Sequence, residues 1–372
     1  MPLIETLQDL VHIPSLSGKE RIVLNYIQQN LRAVNLDPFF QDGNLVVHLA
    51  GKNRNKAFIF NSHVDVVDPG DESRWTHNGP WSATIEKNQM FGRGTSDMKA
   101  GVAASMELAK QLTQSGTPLC DVFFTYVVQE ETDGAGTRAF ADWLQFTGQT
   151  GRYDEMAAIF TEPTSLINIE HGHRGNYFIR AQIQGDAGHA SRPKNIKTHA
   201  INAMVDFMRD LEVQSRKWEE QFPTNEFIAP TITPTAIEAS TGSPNKVSDL
   251  CIATFDLRTI PQWDEQAYEQ IGEIAKQRGI DISLIVPNSP TGYTKKDARI
   301  IRVFQREMPN TILTVSQASA DLGFLSRIGV DGVIFGPGDI EKAHIIDESV
   351  DLNQVLKTPE IYKKVYEEWA KE

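Results

Sequence analysis

Val122-Phe123-Phe124-Thr125-Tyr126-Val127-Val128-Gln129-Glu130-Glu131 is an apolar run that closes on two adjacent acids. A run this rich in aromatic and β-branched residues reads as a strand buried on both faces of a parallel sheet. Two carboxylates at its end are costly to bury unless something there needs negative charge. In open α/β sheets, ligands sit beyond the carboxyl ends of the strands. The pair is therefore placed to hold a cation and to handle a proton; a solvated loop start is the plain alternative. Adjacent residues on a regular strand face opposite ways. Both acids can serve one site only if the backbone leaves strand geometry there.

Working outward, helix and strand signals alternate. Leu3, Ile4, Leu7, Leu10 and Val11 form one face of a helix that begins in Met1 to Leu10. A helix over Glu20–Ala33, strands over Asn44–Leu49 and Lys56–Asn61, a helix over Met98–Thr113, the strand Cys120–Val128, a helix over Thr137–Phe146 and a strand over Met156–Phe160 follow. This alternation predicts a layered α/β domain. The pattern changes near His173. Strands at Tyr177–Gln184, Thr231–Ala239, Cys251–Arg258 and Ile280–Val286, with helices at Thr198–Glu219 and Glu265–Gln277, read β-α-β-β-α-β, a ferredoxin-like module. The first pattern resumes after Asp297. The division predicted is a catalytic domain of residues 1–172 and 287–372 with an inserted domain of residues 173–286.

Composition narrows the function. The 372 residues carry a net charge of −13, with 40% hydrophobic and 23% charged content. A nucleic-acid footprint is not expected from such acidity. No run approaches the roughly 20 apolar residues of a membrane span, and the N-terminus lacks the basic start and apolar core of a signal peptide. Only Cys120 and Cys251 occur, both in apolar strands. They read as buried free thiols, which fits a cytoplasmic protein.

Other polar residues repeat the theme of the opening pair. His63 and Asp65 follow the strand Lys56–Asn61 and share a face at i, i+2. A ligating histidine commonly gives its second ring N–H to a carboxylate, and Asp65 could serve so; an incidental ion pair is the alternative. Gly92-Arg93-Gly94-Thr95-Ser96-Asp97-Met98-Lys99-Ala100-Gly101 is a glycine-rich loop opening a helix. It lacks the ending of a phosphate loop, and Asp97 would repel phosphate. Asp97 reads as a ligand at a helix start or as its N-cap. Glu162 follows the strand Met156–Phe160, and His344 follows Val333–Phe335 and the turn Gly336-Pro337-Gly338. Imidazole and carboxylate donors without cysteine suit Zn²⁺, with Co²⁺ or Mn²⁺ as alternatives. The carboxylates are too many for one structural zinc, whereas two metals sharing a bridging carboxylate explain the number.

The stretches Ser62-His63-Val64-Asp65, Gly92–Gly101, Glu130-Glu131, Glu162-Pro163-Thr164, Gly188-His189-Ala190-Ser191 and Ala343-His344 together resemble a family of dinuclear zinc hydrolases. It contains acetylornithine deacetylase, succinyl-diaminopimelate desuccinylase, aminoacylases and bacterial glutamate carboxypeptidases. The resemblance spans almost the whole chain, in family order. It implies an α/β, zinc-exopeptidase-like catalytic domain, with a mixed, mostly parallel sheet and helices on both faces, and an inserted ferredoxin-like α+β domain acting as lid and dimerisation domain of a homodimer. His63, Asp97 and Glu162 would bind one zinc; Asp97, Glu131 and His344 would bind the second, with Asp97 bridging. Asp65 would orient His63, and Glu130 would be the general base. His189 would reach the partner subunit's active site and stabilise the oxyanion. Arg258 and Asn245 would hold the substrate carboxylate; an in-strand salt bridge to Asp256 is the alternative for Arg258. The peptide Asp97-Met98 would be cis. The activity implied is hydrolysis of an N-acyl amino acid, with a dipeptidase or carboxypeptidase as alternative. Ala320-Asp321-Leu322-Gly323 lacks the arginine that desuccinylases carry there, which argues against desuccinylation. Glu162-Pro163-Thr164-Ser165-Leu166 leans toward acetylornithine deacetylase. A metal-binding protein without activity and a two-metal phosphoesterase are competing classes. The intact ligand set with Glu130 argues against the first, and the scarcity of basic residues near the ligands against the second.

Overall fold

The strand Asn53–His63 is buried throughout from Ala57 to His63 and lies parallel between Cys120–Val127 and Glu155–Phe160. This is seen in a computed structural model that describes residues 3–371. Met1 and Pro2, at the start of the expected first helix, lie outside the described residues. Asp331–Ile334 adds a fourth parallel strand beside Glu155–Phe160. The flanks run antiparallel: Asn44–Leu49 on Cys120–Val127, and Asn168–His173 on Asp331–Ile334. Among the described residues the sheet has nine strands and is mixed, with a parallel centre.

Period-2 alternation explains the layers. Phe58 and Phe60 point into one core and Ala57 and Ile59 into another. The first core is closed by helices Leu3–His12, Arg21–Arg32, Ala100–Gln114, Arg299–Glu307 and Leu352–Lys371; the second is closed by Ala135–Phe146 and Leu322–Ser326. Phe60 stacks on Phe124 at 5.2 Å between ring centroids. Each such phenylalanine contributes roughly 1.5–3 kcal/mol through burial. The strand ends that carry the candidate ligands are thereby fixed in a rigid frame.

Two features depart from the sequence reading. The helix expected from Met98 begins at Ala100, because Asp97 (φ −119°, ψ 98°) and Met98 (φ −131°, ψ 35°) hold non-helical backbone. Three three-residue strands, Thr84–Glu86, Gln89–Phe91 and Ser349–Asp351, form a small antiparallel sheet. It brings the segment before Asp97 beside the segment after His344.

The chain divides into two compact units. One comprises the chain up to Gly172, Gly292–Val315 and the chain from Ala320; the other comprises His173–Thr291 and Ser316–Ser319. The second holds an antiparallel sheet in the order Thr231–Glu238, Leu250–Thr259, Gly175–Gln184, Asp281–Leu284, the ferredoxin-like order. Along Leu250–Thr259, Cys251, Ala253, Phe255, Leu257 and Thr259 are buried and alternate with half-buried residues. Helix Ala200–Gln221 packs on this buried face, with Phe207 edge-on to Phe255. Cys120 and Cys251 are buried free thiols. Among the described residues, no helix is long and apolar enough to cross a membrane.

Candidate metal centre

The backbone does leave strand geometry after Val127. Gln129 is left-handed (φ 59°), and Glu130–Asp133 form one helical turn. A helical turn rotates successive side chains by about 100° rather than 180°, which lets Glu130 and Glu131 approach one site. Asp65 holds this turn. Its Oδ1 accepts the Glu130 N–H (N···O 3.1 Å), and its Oδ2 accepts the Glu131 N–H (3.2 Å) and the Ser17 hydroxyl (2.7 Å). Glu20 Oε1 accepts the Gln129 N–H at 3.2 Å. The His63 ring is served chiefly by the Asp65 main chain: Nδ1 lies 3.0 Å from the Asp65 carbonyl oxygen and 3.6 Å from its Oδ1.

Two groups of donors form, His63–Asp97–Glu162 and Asp97–Glu131–His344, with the ligand atoms of each group within 4.8 Å of one another. His63 Nε2 is 3.0 Å from Asp97 Oδ1 and 3.6 Å from Glu162 Oε1. His344 Nε2 is 3.3 Å from Asp97 Oδ2 and 3.1 Å from Glu131 Oε1. Asp97 thus offers one oxygen to each group. It caps no helix; the residue flanking helix Ala100–Gln114 is Lys99. The Asp97-Met98 peptide is cis. Gly94 opens this loop at φ 82°, where a Cβ would stand 2.6 Å from Val66 Cγ1. Glu130 belongs to neither group.

Charge at the centre is unbalanced toward the negative. Burial pushes Glu162 up to about 8, with Asp97 and Asp321 adding and His63 opposing. Burial also raises Glu130 well above the carboxylate range, with Asp321, Glu162 and Glu131 adding to it against His63. Burial would lower His63, yet Glu162, Asp65 and Asp97 hold it well above its usual value. Hydrogen bonds to Asp97 and Glu131 carry His344 up to about 10. Asp97 is held low by the two histidines despite its burial. These directions share one cause, that buried carboxylates outnumber cationic side chains here. This donor set fits divalent cations, which would displace bound protons.

Three participants were not singled out as site residues from sequence. Glu348 and Arg93 pair beneath Asp97 and His344 (Nη1···Oε2 2.7 Å). Asp321 is buried and accepts the Thr137 hydroxyl at 2.5 Å.

The remaining candidates lie in the second unit. His189 lies on a two-strand ladder, Gly188–His189 against Lys246–Val247, and Asn245 precedes the second strand; both line a cavity of about 300 Å³. His189 is exposed, and its Nδ1 is 2.8 Å from the Ser191 hydroxyl. Arg258 gives Nε and Nη2 to Asp256 at 2.8 and 2.9 Å and Nη1 to Ser319 at 3.0 Å. Beside it, Arg174 is buried and its Nε has no hydrogen-bond partner. Burial and the Arg258 charge lower Arg174 to about 10, against Asp256.

Fold and site together define a metal-dependent hydrolase acting on amide or peptide bonds. The chain belongs to Peptidase family M20/M25/M40, whose model matches residues 59–368. It is 27% identical to the succinyl-diaminopimelate desuccinylase of Cereibacter sphaeroides, over 97% of both chains. It is also 27% identical to the acetylornithine deacetylase of Buchnera aphidicola subsp. Acyrthosiphon pisum, over 97% of this chain and 96% of that one. Its fold matches an M20 metallo-carboxypeptidase from Sulfolobus solfataricus with a TM-score of 0.77, at 16% identity and full coverage of both chains.

Proposed function

We propose that the protein removes the acyl group from an N-acyl amino acid, in the manner of an acetylornithine deacetylase, using two divalent ions, preferably Zn²⁺. The observation that carries this is an aspartate that faces two donor groups, together with an acid, Glu130, that adjoins the donor Glu131 in the chain and belongs to neither group. His63 and Glu162 would hold one ion, Glu131 and His344 the other, and Asp97 both. Bound there, the ions would supply Lewis acidity at the scissile carbonyl and make a nearby water more acidic. Glu130 takes the proton from the attacking water and returns it to the leaving amine, so that one carboxyl serves as base and then as acid. Asp65 keeps Glu130 aimed through the turn it clamps. On the family resemblance, His189 neutralises the oxyanion in the active site of a partner subunit, as part of a homodimer.

Arg258 with Asn245 would take the substrate carboxylate. The unpaired Nε of Arg174 supports an anion at this place, since two guanidinium groups there face one carboxylate, Asp256. Zinc-loaded protein should hydrolyse N-acetylornithine and related N-acetyl amino acids faster than a panel of dipeptides. Preference for dipeptides would replace this reading with a dipeptidase or carboxypeptidase. A second reading, release of succinate from an N-succinyl amino acid, is favoured by the similarity to desuccinylases. The same assay with N-succinyl substrates separates it.

A further inference from the structure

Glu348 is fully buried, and its oxygens are divided between two loops. Oε1 accepts the backbone N–H groups of Ser96 (2.9 Å) and Asp97 (3.1 Å). Oε2 accepts Nη1 of Arg93 at 2.7 Å, and the same Nη1 donates to the Ile345 carbonyl at 3.2 Å. The Glu348 carbonyl accepts the Gly92 N–H at 2.9 Å. Ser349–Asp351 then pairs antiparallel with Gln89–Phe91, which continues the same junction. One carboxylate and one guanidinium, both buried, therefore join the loop that carries Asp97 to the loop that carries His344. A buried pair of this kind is weak support for stability, because desolvation offsets its attraction. Its use must lie in what it fixes. What it fixes is the backbone on either side of the Asp97–His344 contact.

Resting on the two-ion reading above, we infer that Glu348 is a positioning residue: with Arg93 it sets the separation of Asp97 and His344, and so selectively tunes the ion site formed by Asp97, Glu131 and His344. That site draws two of its three donors from the clamped loops. The site of His63, Asp97 and Glu162 draws one. Loosening the clamp should weaken the former more. Glutamine at position 348 keeps the shape, but it must turn its amide toward either Arg93 or the two backbone N–H groups, and so loses one side of the junction.

The test is calorimetric titration of metal-free protein with Zn²⁺, for the wild type, Glu348→Gln, Arg93→Lys, His344→Ala and the double variant Glu348→Gln/His344→Ala. Wild-type protein should take up two ions. Glu348→Gln should weaken one of them by tenfold or more and leave the other within about threefold, and adding it to His344→Ala should cause no further loss, since both act on one site. Arg93→Lys ends one bond short of Nη1, the single atom that meets both Glu348 and the Ile345 carbonyl, and should reproduce the pattern, so it carries the test if Glu348→Gln does not fold. Two ions bound with wild-type affinities by both clamp variants would overturn the inference. So would equal weakening of both sites, which is what a merely structural role predicts. Failure of the wild type to bind two ions would instead refute the ligand reading on which the inference rests.

Discussion

Replacing Asp65 separates two roles that its position allows. If the carboxylate served mainly to orient His63, its removal would act on the ion site containing His63. The geometry adds a second role: His63 Nδ1 meets the Asp65 main-chain carbonyl at 3.0 Å, a contact that any side chain preserves, and the carboxylate Oδ1 at 3.6 Å. The carboxylate is buried and accepts three donors, the N–H groups of Glu130 and Glu131 and the Ser17 hydroxyl. Each donor left unsatisfied in a buried place costs about 1–3 kcal/mol. Asp65→Ala should therefore destabilise even the metal-free protein by ~3–6 kcal/mol, allowing for some relaxation. That is a large part of the 5–15 kcal/mol typical of a domain. Asp65→Asn keeps one acceptor oxygen but sets its amide against a donor, and should cost about 1–3 kcal/mol. Urea unfolding of the metal-free forms measures both. In the loaded forms, the ion held by Glu131 should be lost before the ion held by His63 and Glu162. Metal-free Asp65→Asn within ~0.5 kcal/mol of the wild type, or prior loss of the His63 ion, would refute the clamp on the Glu130–Glu131 turn.

Other substitutions probe the frame and its electrostatics. Gly101→Ala would bring a Cβ to 2.2 Å from the Thr161 carbonyl oxygen. It should cost about 1–3 kcal/mol by overpacking and displace Glu162, the next residue, which a fall in both melting temperature and Zn²⁺ affinity would reveal. Burial alone raises Glu170 to about 7 from 4.5. Because the protonated form favours the fold, this stability is full below pH 4.5 and is lost as the pH rises through 7. Glu170→Gln should raise the melting temperature at pH 8, by no more than ~3 kcal/mol of stability, and leave it unchanged at pH 4; an equal effect at both would show that titration is not the cause. Arg174→Met should raise KM for N-acetylornithine while leaving kcat within a few fold, because it removes binding of a carboxylate remote from the reacting bond. A loss confined to kcat would place Arg174 elsewhere in the reaction.

The sheet was legible because its central strands are continuous apolar runs. Val122–Val127 and Ala57–Phe60 are short and rich in aromatic and β-branched residues, which favours buried strands over helix. The ferredoxin-like module was legible from the alternation along Leu250–Thr259. The candidate donors drew attention because Glu131 and Glu162 follow buried strands and His63 ends one, where a polar residue stands out. What lay hidden depended on contacts distant in sequence. Arg93 and Glu348 are 255 residues apart. A signal for them existed: a charged residue between two glycines, and another four residues after His344. The strands that bring them together are three residues long, too short for periodicity to register. The aim of the Asp65 carboxylate was hidden for a different reason. Strand spacing places it beside His63, but the backbone turns at Gln129 and delivers Glu130 and Glu131 to it. Arg174 was missed because its meaning depends on Arg258, which reaches it only through strand pairing.

The central claim is that two neighbouring acids divide the work: Glu131 holds metal, and Glu130 moves the proton. Metal content and turnover of Glu130→Gln and Glu131→Gln, measured on the same Zn²⁺-loaded preparations, test it most directly. Glu130→Gln should keep two ions per chain and lose on the order of 10²–10⁴-fold in kcat. Glu131→Gln should keep one. Loss of metal from Glu130→Gln, or the same phenotype in both variants, would contradict the account.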